Sequence, residues 1–406
     1  MKVIVLNAGS SSIKYRVFDK ENFLMLCHGV LEGIGKPESR LRHKWLHEKG
    51  AYEELVQQQN IPGYRAGLEW IISTAAKTCG MNDETGIFGI GHRVVHGGKA
   101  FEEPTLIDSR VVETIRSTIP LAPLHNPENL MVIEVALEKY PNVPQVAIFD
   151  TAFHQTMPDH SYLYALPYAF HSEHNIRRYG FHGTSHLYVA KQTASHLNKS
   201  LQTLNLITLH LGNGASATAI RKGESVDTSM GMTPLEGLIM GTRCGDLDPS
   251  MHFYLSRTKG LTVEEMESLF NEESGLKGVC GTNDMREIER RAGEGDSRAR
   301  LAIDMYCYRI KKYIGAYFAV LGQIDALIFT GGIGENSSLI RKRSCDTLSA
   351  LGIVIDNKKN ESGSGRVFEI QRDGSDIKVL VVPTNEELEI ARQTVETIKK
   401  IKKKSS

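Results

Sequence analysis

Glycine turns, isolated arginines and a strand-end aspartate are the residues here whose types and spacing suit phosphate chemistry. Ile207-Thr208-Leu209-His210-Leu211 is followed by Gly212-Asn213-Gly214. This is the pattern of a buried strand ending in a tight turn, whose glycines permit positive φ and expose backbone N–H groups. Exposed N–H groups suit an anion. Val3-Ile4-Val5-Leu6-Asn7 followed by Ala8-Gly9-Ser10-Ser11-Ser12 repeats the arrangement, with Leu6 and Gly9 in register with Leu209 and Gly212. The repeat predicts two related domains facing one nucleotide. Ala326-Leu327-Ile328-Phe329 leading into Thr330-Gly331-Gly332-Ile333-Gly334-Glu335-Asn336 is a third strand, glycine loop and helix of the same character, since glycine lets backbone approach a ligand.

The charged candidates stand near such turns. Arg93 follows the apolar Ile87-Phe88-Gly89-Ile90-Gly91 and is costly to bury alone, so it is either in an ion pair or awaiting an anionic ligand. The following Gly97-Gly98-Lys99-Ala100 is not a Walker A loop, because position 93 lacks the required glycine and Ala100 replaces the hydroxyl. Val146 to Phe149 reads as a buried strand delivering Asp150 at its C-terminal end, where open α/β sheets bind ligands. Asp150 is a candidate for catalysis, or caps the next turn. Arg243 lies among the small residues of Met240-Gly241-Thr242-Arg243-Cys244-Gly245-Asp246, which leave room for a ligand. Lys14, on the second strand of an N-terminal hairpin, either reaches a phosphate or faces water.

Histidines are less specific. His125 precedes Asn126-Pro127, where proline opens a helix running through Glu138, and is either a structural hydrogen-bonder or a catalyst. His182 and His186 have the spacing of two metal ligands on a helix, but the glutamate of H-E-x-x-H is missing, which argues against zinc. Thr184 reads as that helix's N-cap.

The elements that must position these groups follow from periodicity and length. Ile303, Tyr306, Ile310, Tyr313, Tyr317 and Leu321 form a helical core stripe. Residues 357–376 read as a polar hairpin or mobile loop. Val379 to Val382 form a strand running into Pro383-Thr384-Asn385-Glu386-Glu387; Thr384 and Glu387 have capping-box spacing, which leaves Glu386 for a metal. The 406 residues call for two domains. With 48 basic and 48 acidic residues nothing global attracts nucleic acid or a membrane. Six cysteines without a C-x-x-C pair fit a reduced cytoplasm. The apolar start is too short for a signal segment, and no run approaches a membrane span.

Together, the stretches from Leu6-Asn-Ala-Gly-Ser-Ser-Ser12 to Thr384-Asn-Glu-Glu387 resemble the acetate kinase family, within the acetate and sugar kinase, Hsp70 and actin superfamily. The resemblance implies an α/β fold of two RNase H-like, actin-like ATPase domains with central mixed sheets and a nucleotide cleft between them. We place the domains at 1–150 and 151–384, with the helix over 385–400 packing back on the first. By resemblance, Asn7 and Glu386 sit near the metal, Mg²⁺ with Mn²⁺ as substitute. Lys14, His210, Leu211, Gly212, Asn213, Gly214, Asp284, Met285, Arg286, Gly332, Ile333, Gly334, Glu335 and Asn336 line the ATP/ADP site. Arg93, Asp150, His182 and Arg243 surround the transferred phosphoryl with His125 nearby, and Val95, Leu124, Phe181 and Pro234 hold the acyl methyl.

The implied reaction is reversible in-line transfer from MgATP to acetate, giving acetyl phosphate and ADP, in a cytoplasmic homodimer. A carboxylate acceptor, with a pKa of about 4 to 5, is already ionised and needs no general base, so Asp150 is expected to orient Mg²⁺, water or an arginine. The alternatives are a propionate or short-chain acid kinase, a sugar kinase, which would need polar residues where Val95, Leu124 and Pro234 stand, and an actin- or Hsp70-like nucleotide switch. A Rossmann dehydrogenase would rest only on Gly332-x-Gly334-x-x-Ser337, which lacks the third glycine of the fingerprint.

Overall fold

Strand β1 (Lys2–Gly9) is apolar at four successive positions because both of its faces are covered. Val3 and Val5 join a cluster closed by Ile390, Ala391, Val395 and Ile398 of the C-terminal helix Glu386–Lys404. Ile4 and Leu6 join another, closed by Leu68 and Ile71 of helix Tyr64–Cys79 and Val132 and Val135 of helix Asn126–Lys139. The computed structural model describes the chain except for Ser10, Glu48, Lys49, Met81, Asn82, Asp83, Leu124, Ser364, Ser405 and Ser406. The chain divides into two compact units, Met1–Ala152 with Asn385–Ser406, and Phe153–Thr384.

In the first unit β1 is followed by β2 (Ser12–Asp19), β3 (Met25–Glu32), β4 (Ser39–Leu46), β5 (Tyr52–Gln59), β6 (Ile87–Val94), β7 (Thr105–Leu106) and β8 (Gln145–Phe149). Among the described residues they form one sheet in the order β5-β4-β3-β2-β1-β6-β8-β7. Gly89 and Gly91 decide how the C-terminal helix returns to it. A Cβ on either would lie 2.3 Å from Ile398 Cδ1 or Thr394 Oγ1, so a larger residue would displace the helix side chains that rest on β6.

The second unit contains β9 (Asn205–Leu211), β10 (Ala215–Arg221), β11 (Glu224–Thr228), β12 (Ala326–Thr330), β13 (Phe368–Glu369) and β14 (Lys378–Val381), ordered β11-β10-β9-β12-β14-β13. Its pairing repeats that of β3-β2-β1-β6-β8-β7: two antiparallel pairs, two parallel pairs, then an antiparallel edge. β1 and β9 are the corresponding central strands; β1 ends at Gly9, and Gly212-Asn213-Gly214 follows β9. Helix Ser297–Leu321 packs on β10 and buries Ile303, Tyr306, Ile310, Tyr317 and Leu321; Tyr313 is half-buried and donates to Asp246 Oδ2 at 2.9 Å.

Three local expectations are corrected. Residues 357–376 are not a plain hairpin or loop: helix Asn357–Ser362 opens at Asp356, whose carboxylate accepts from Lys358 N and Lys359 N, and β13 follows. Thr184 is not the N-cap of its helix, which spans Gly183–His196 and is preceded by His182; among the described residues its hydroxyl has no partner. Thr384 and Glu387 form no capping box. Asn385 accepts from Leu388 N at 3.2 Å, while Thr384 Oγ1 bonds Ser185 Oγ and Glu387 pairs with Arg16 at 3.3 Å. A helix starting one residue later than its spacing suggests takes its cap from the next polar side chain.

Candidate active site

In the first unit, parallel pairing of β1, β6 and β8 brings the ends of three strands together. Arg93 on β6 grips Asp150, which follows β8: Nη2 lies 2.6 Å from Oδ2, and Nε lies 3.1 Å from each oxygen. Its Nη1 donates to Asn7 Oδ1 at 3.1 Å. Asp150 is buried, so this forked contact supplies the partner that an interior arginine requires. Of the two possibilities for Arg93, the ion pair is therefore formed. Glu386, at the start of the C-terminal helix, is 4.0 Å from Arg93 Nε. Burial, with Asp150 and Glu387 nearby, pushes its carboxyl up to about 7 against the pull of Arg93 and Lys14.

The turns beside these groups are tied by two asparagines that motif reasoning passed over. Asn129 accepts from Val95 N and donates to Ala8 O, both at 3.1 Å, and Asn126 holds His96 N and O. The signal available was a pair of amide side chains three positions apart at the start of helix Asn126–Lys139, one on either side of Pro127. His125 precedes that helix, half-buried, without capping it. Val95 is buried. Lys14 pairs in register with Asn7 and is exposed; it lines a recess with Arg16, His28, Arg42 and Lys44 in the first unit. Leu124 lies outside the described residues.

In the second unit, His182 adopts φ 58°, a left-handed conformation costly for a side chain with a Cβ. Its ring stacks on His210 with centroids 4.3 Å apart, and its Nδ1 is 2.9 Å from Ser216 Oγ. A Cβ on Gly214 would stand 3.4 Å from His182 Nε2 and 3.6 Å from Arg243 Nη1, so the glycine turn, the imidazole and the guanidinium converge. Arg243 Nη1 donates to the Pro234 carbonyl at 3.3 Å and lies 3.9 Å from Met240 Sδ. Among the described residues no carboxylate pairs with it, and burial lowers its pKa. This is a cation set in protein without its anion. Phe181 is buried and Pro234 half-buried.

A cavity of about 580 Å³ opens beside this group, lined by Gly212, Asn213, Asp284, Met285, Arg286, Gly332, Ile333 and Asn336, all candidates from the sequence. Asn283, Glu289 and Ser337 also line it and were missed. Asn283 Nδ2 donates to Asn213 Oδ1 at 2.9 Å, and Ser337 Oγ donates to Glu289; isolated polar residues on helix flanks carried no motif. Asp284 caps helix Met285–Gly293 and pairs with Arg286 at 2.7 Å. Glu335 serves the backbone instead, accepting from Gly331 N and Thr384 N at 3.0 Å each. His210 Nδ1 is held by Ser185 Oγ at 2.8 Å. Leu211 is buried in β9, and Gly334 packs near Leu211 Cβ and Phe329.

A sequence profile of the acetokinase family matches residues 2–392. The chain belongs to the acetokinase family. The acetate kinase of Syntrophobacter fumaroxidans is 55% identical over 401 residues, 98% of each chain. The crystal structure of Porphyromonas gingivalis acetate kinase aligns with a TM-score of 0.92 at 43% identity, covering 98% of this chain and 99% of that one. A propionate kinase from Francisella tularensis aligns with a TM-score of 0.91 at 42% identity, covering 97% and 99%. The α/β fold with two mixed sheets in this acetokinase-family chain is thus the two-domain ATPase fold expected from sequence.

Proposed function

We propose that the protein is an acetate kinase, an ATP:acetate phosphotransferase that forms acetyl phosphate and ADP reversibly by direct in-line transfer. The observation that carries this is Arg243, a guanidinium without a carboxylate among the described residues, converging with His182 on the Gly212-Asn213-Gly214 turn. Phosphoryl transfer needs donors aimed at charge spread over a metaphosphate-like group, and this arrangement offers two. The second unit binds nucleotide in the cavity bounded by Asp284, Met285, Arg286, Gly332, Ile333 and Asn336, with His210, Leu211, Gly212, Asn213, Gly214, Gly334 and Glu335 shaping its loops.

The first unit's donor set fits a hard divalent cation. Asp150 and Glu386 place two carboxylates around one arginine, and burial, with the Asp150 carboxylate nearby, raises the pKa of Glu386. Mg²⁺ typically takes one or two carboxylates and completes its shell with water and substrate phosphates. Glu386 and Asn7 would hold Mg²⁺, or Mn²⁺ in its place. When bound, the ion neutralises charge on the phosphates. Asp150 orients Arg93 and abstracts no proton, because acetate arrives ionised. Val95, buried in the first unit, limits the length of the acyl group, and the same unit carries Lys14 and His125 as positive and polar groups.

A cytoplasmic homodimer completes the proposal, supported by large apolar side chains exposed on the second unit, among them Tyr168, Phe253, Tyr254 and Tyr308. Among the described residues no helix is long and apolar enough to cross a membrane. The balanced charge favours no nucleic acid or membrane partner. Incubation with MgATP and acetate, propionate, butyrate or glycerol, followed by hydroxylamine trapping, tests the activity. Acetate should give the most trapped acyl phosphate; no product from any acid would overturn it.

A further inference from the structure

Behind His182 runs a chain of hydrogen bonds between groups that can each donate or accept. Thr208 Oγ1 is 2.7 Å from His186 Nδ1, His186 Nε2 is 2.8 Å from Ser216 Oγ, and Ser216 Oγ is 2.9 Å from His182 Nδ1. Thr208 and Ser216 face each other's neighbours on β9 and β10, and helix Gly183–His196 lays His186 between them. Thr208, His186 and Ser216 are all fully buried, so no water compensates for a misdirected proton.

The direction of this chain can be worked out from its far end. His186 is neutral: burial, with His154 and His210 nearby, holds its pKa well below the usual imidazole value. A neutral imidazole donates at one nitrogen and accepts at the other, so Thr208 and Ser216 cannot both donate to it. Among the described residues the Thr208 hydroxyl has no acceptor other than His186 Nδ1. A buried hydroxyl hydrogen left without an acceptor is costly. Thr208 therefore donates to Nδ1, His186 Nε2–H donates to Ser216 Oγ, and Ser216 must give its own proton to His182 Nδ1. The reverse polarity would strand the Thr208 proton.

We propose that Thr208, His186 and Ser216 are positioning residues that fix the proton of His182 on Nε2, the nitrogen beside Gly214 and Arg243, for donation to the transferred phosphoryl group. The role in transfer rests on the acetate kinase proposal; the placement of the proton does not. Groups close to His182 include His210, which stacks on it, His186 on the helix that follows it, and Arg243 across Gly214. His182 is thus a donor while neutral, and its function does not depend on becoming an imidazolium.

The test combines nitrogen-15 NMR of histidine-labelled protein with kinetics of Thr208→Val and Thr208→Ser. At pH 8 the wild-type His182 should carry its proton on Nε2, and Thr208→Ser should keep it there. Thr208→Val removes the group that sets direction, so the two polarities become comparable and about half of the molecules lose the donor. Its kcat should fall about twofold at pH 8 with KM for ATP unchanged, and recover toward lower pH, where the imidazole carries both protons. An Nδ1–H tautomer in the wild type, or a Thr208→Val defect equal at every pH with the tautomer unchanged, overturns the inference. If Thr208→Val does not fold, the wild-type spectrum alone decides. Absence of acyl phosphate from wild-type protein that shows the Nε2–H tautomer would count against the activity and leave the proton placement standing.

Discussion

Arg93 in the first unit has its Nη2 2.6 Å from a buried carboxylate, whereas Arg243 in the second meets one carbonyl and one thioether. The contrast separates two uses of the same side chain on two copies of one sheet pattern. A paired arginine is part of the fold's electrostatics, and removing it leaves Asp150 and Glu386 uncompensated. An unpaired one contributes little to stability and keeps its attraction for an incoming anion.

The largest effect should come from the unpaired residue. Arg243→Ala is expected to lower kcat roughly 10³- to 10⁵-fold, about 4 to 7 kcal/mol of transition-state stabilisation, with a melting temperature equal to or above that of the wild type. Normal turnover, or a large loss of stability, would erase the distinction. Arg93→Ala should instead lose both activity and stability, the latter by roughly 3 to 5 kcal/mol in denaturant titrations. A fully stable Arg93→Ala would show that the Asp150 contact is incidental.

Acidity sharpens the same point. Glu386 has its folded pKa raised from 4.5 to about 7, so the folded state holds its proton more tightly. The stability this group contributes is present below about pH 4.5 and is lost as pH rises through about 7, on the order of 3 kcal/mol. Without nucleotide or metal ion, the wild type should lose more stability between pH 5 and pH 8 than Glu386→Gln. Parallel profiles would mean that the carboxyl is not crowded.

The smallest effect concerns the acyl group, assigned to the first unit through Val95. Val95→Ala should raise kcat/KM for propionate relative to acetate by about 10 to 200-fold, mainly through KM, and leave KM for ATP unchanged. An unchanged acid ratio would exclude Val95 as the limit on acyl length.

Several of these features were legible because they are local. The match of Leu6 and Gly9 with Leu209 and Gly212 predicted related halves, and the repeated pairing order realises it. Strand, hairpin and glycine turn depend on residues a few positions apart, so periodicity exposes them. Asp150 at the end of β8 and the glycine loop after β12 were visible for the same reason. Even so, local spacing misplaced a cap: Thr384 and Glu387 have the right interval, but Asn385 takes the position.

Sequence by itself determined the family, the two-sheet plan and most of the residues that line the nucleotide cavity. Only tertiary structure decided how they are used. Arg93 and Asp150 are 57 positions apart, so whether the arginine is paired depended on the register of β6 and β8. Gly89 and Gly91 matter because a helix some three hundred residues later rests on them. The proton on His182 is set through Ser216, His186 and Thr208. A charge or a hydroxyl acquires its role from the partner that burial leaves it, and partners distant in sequence are brought together only by folding.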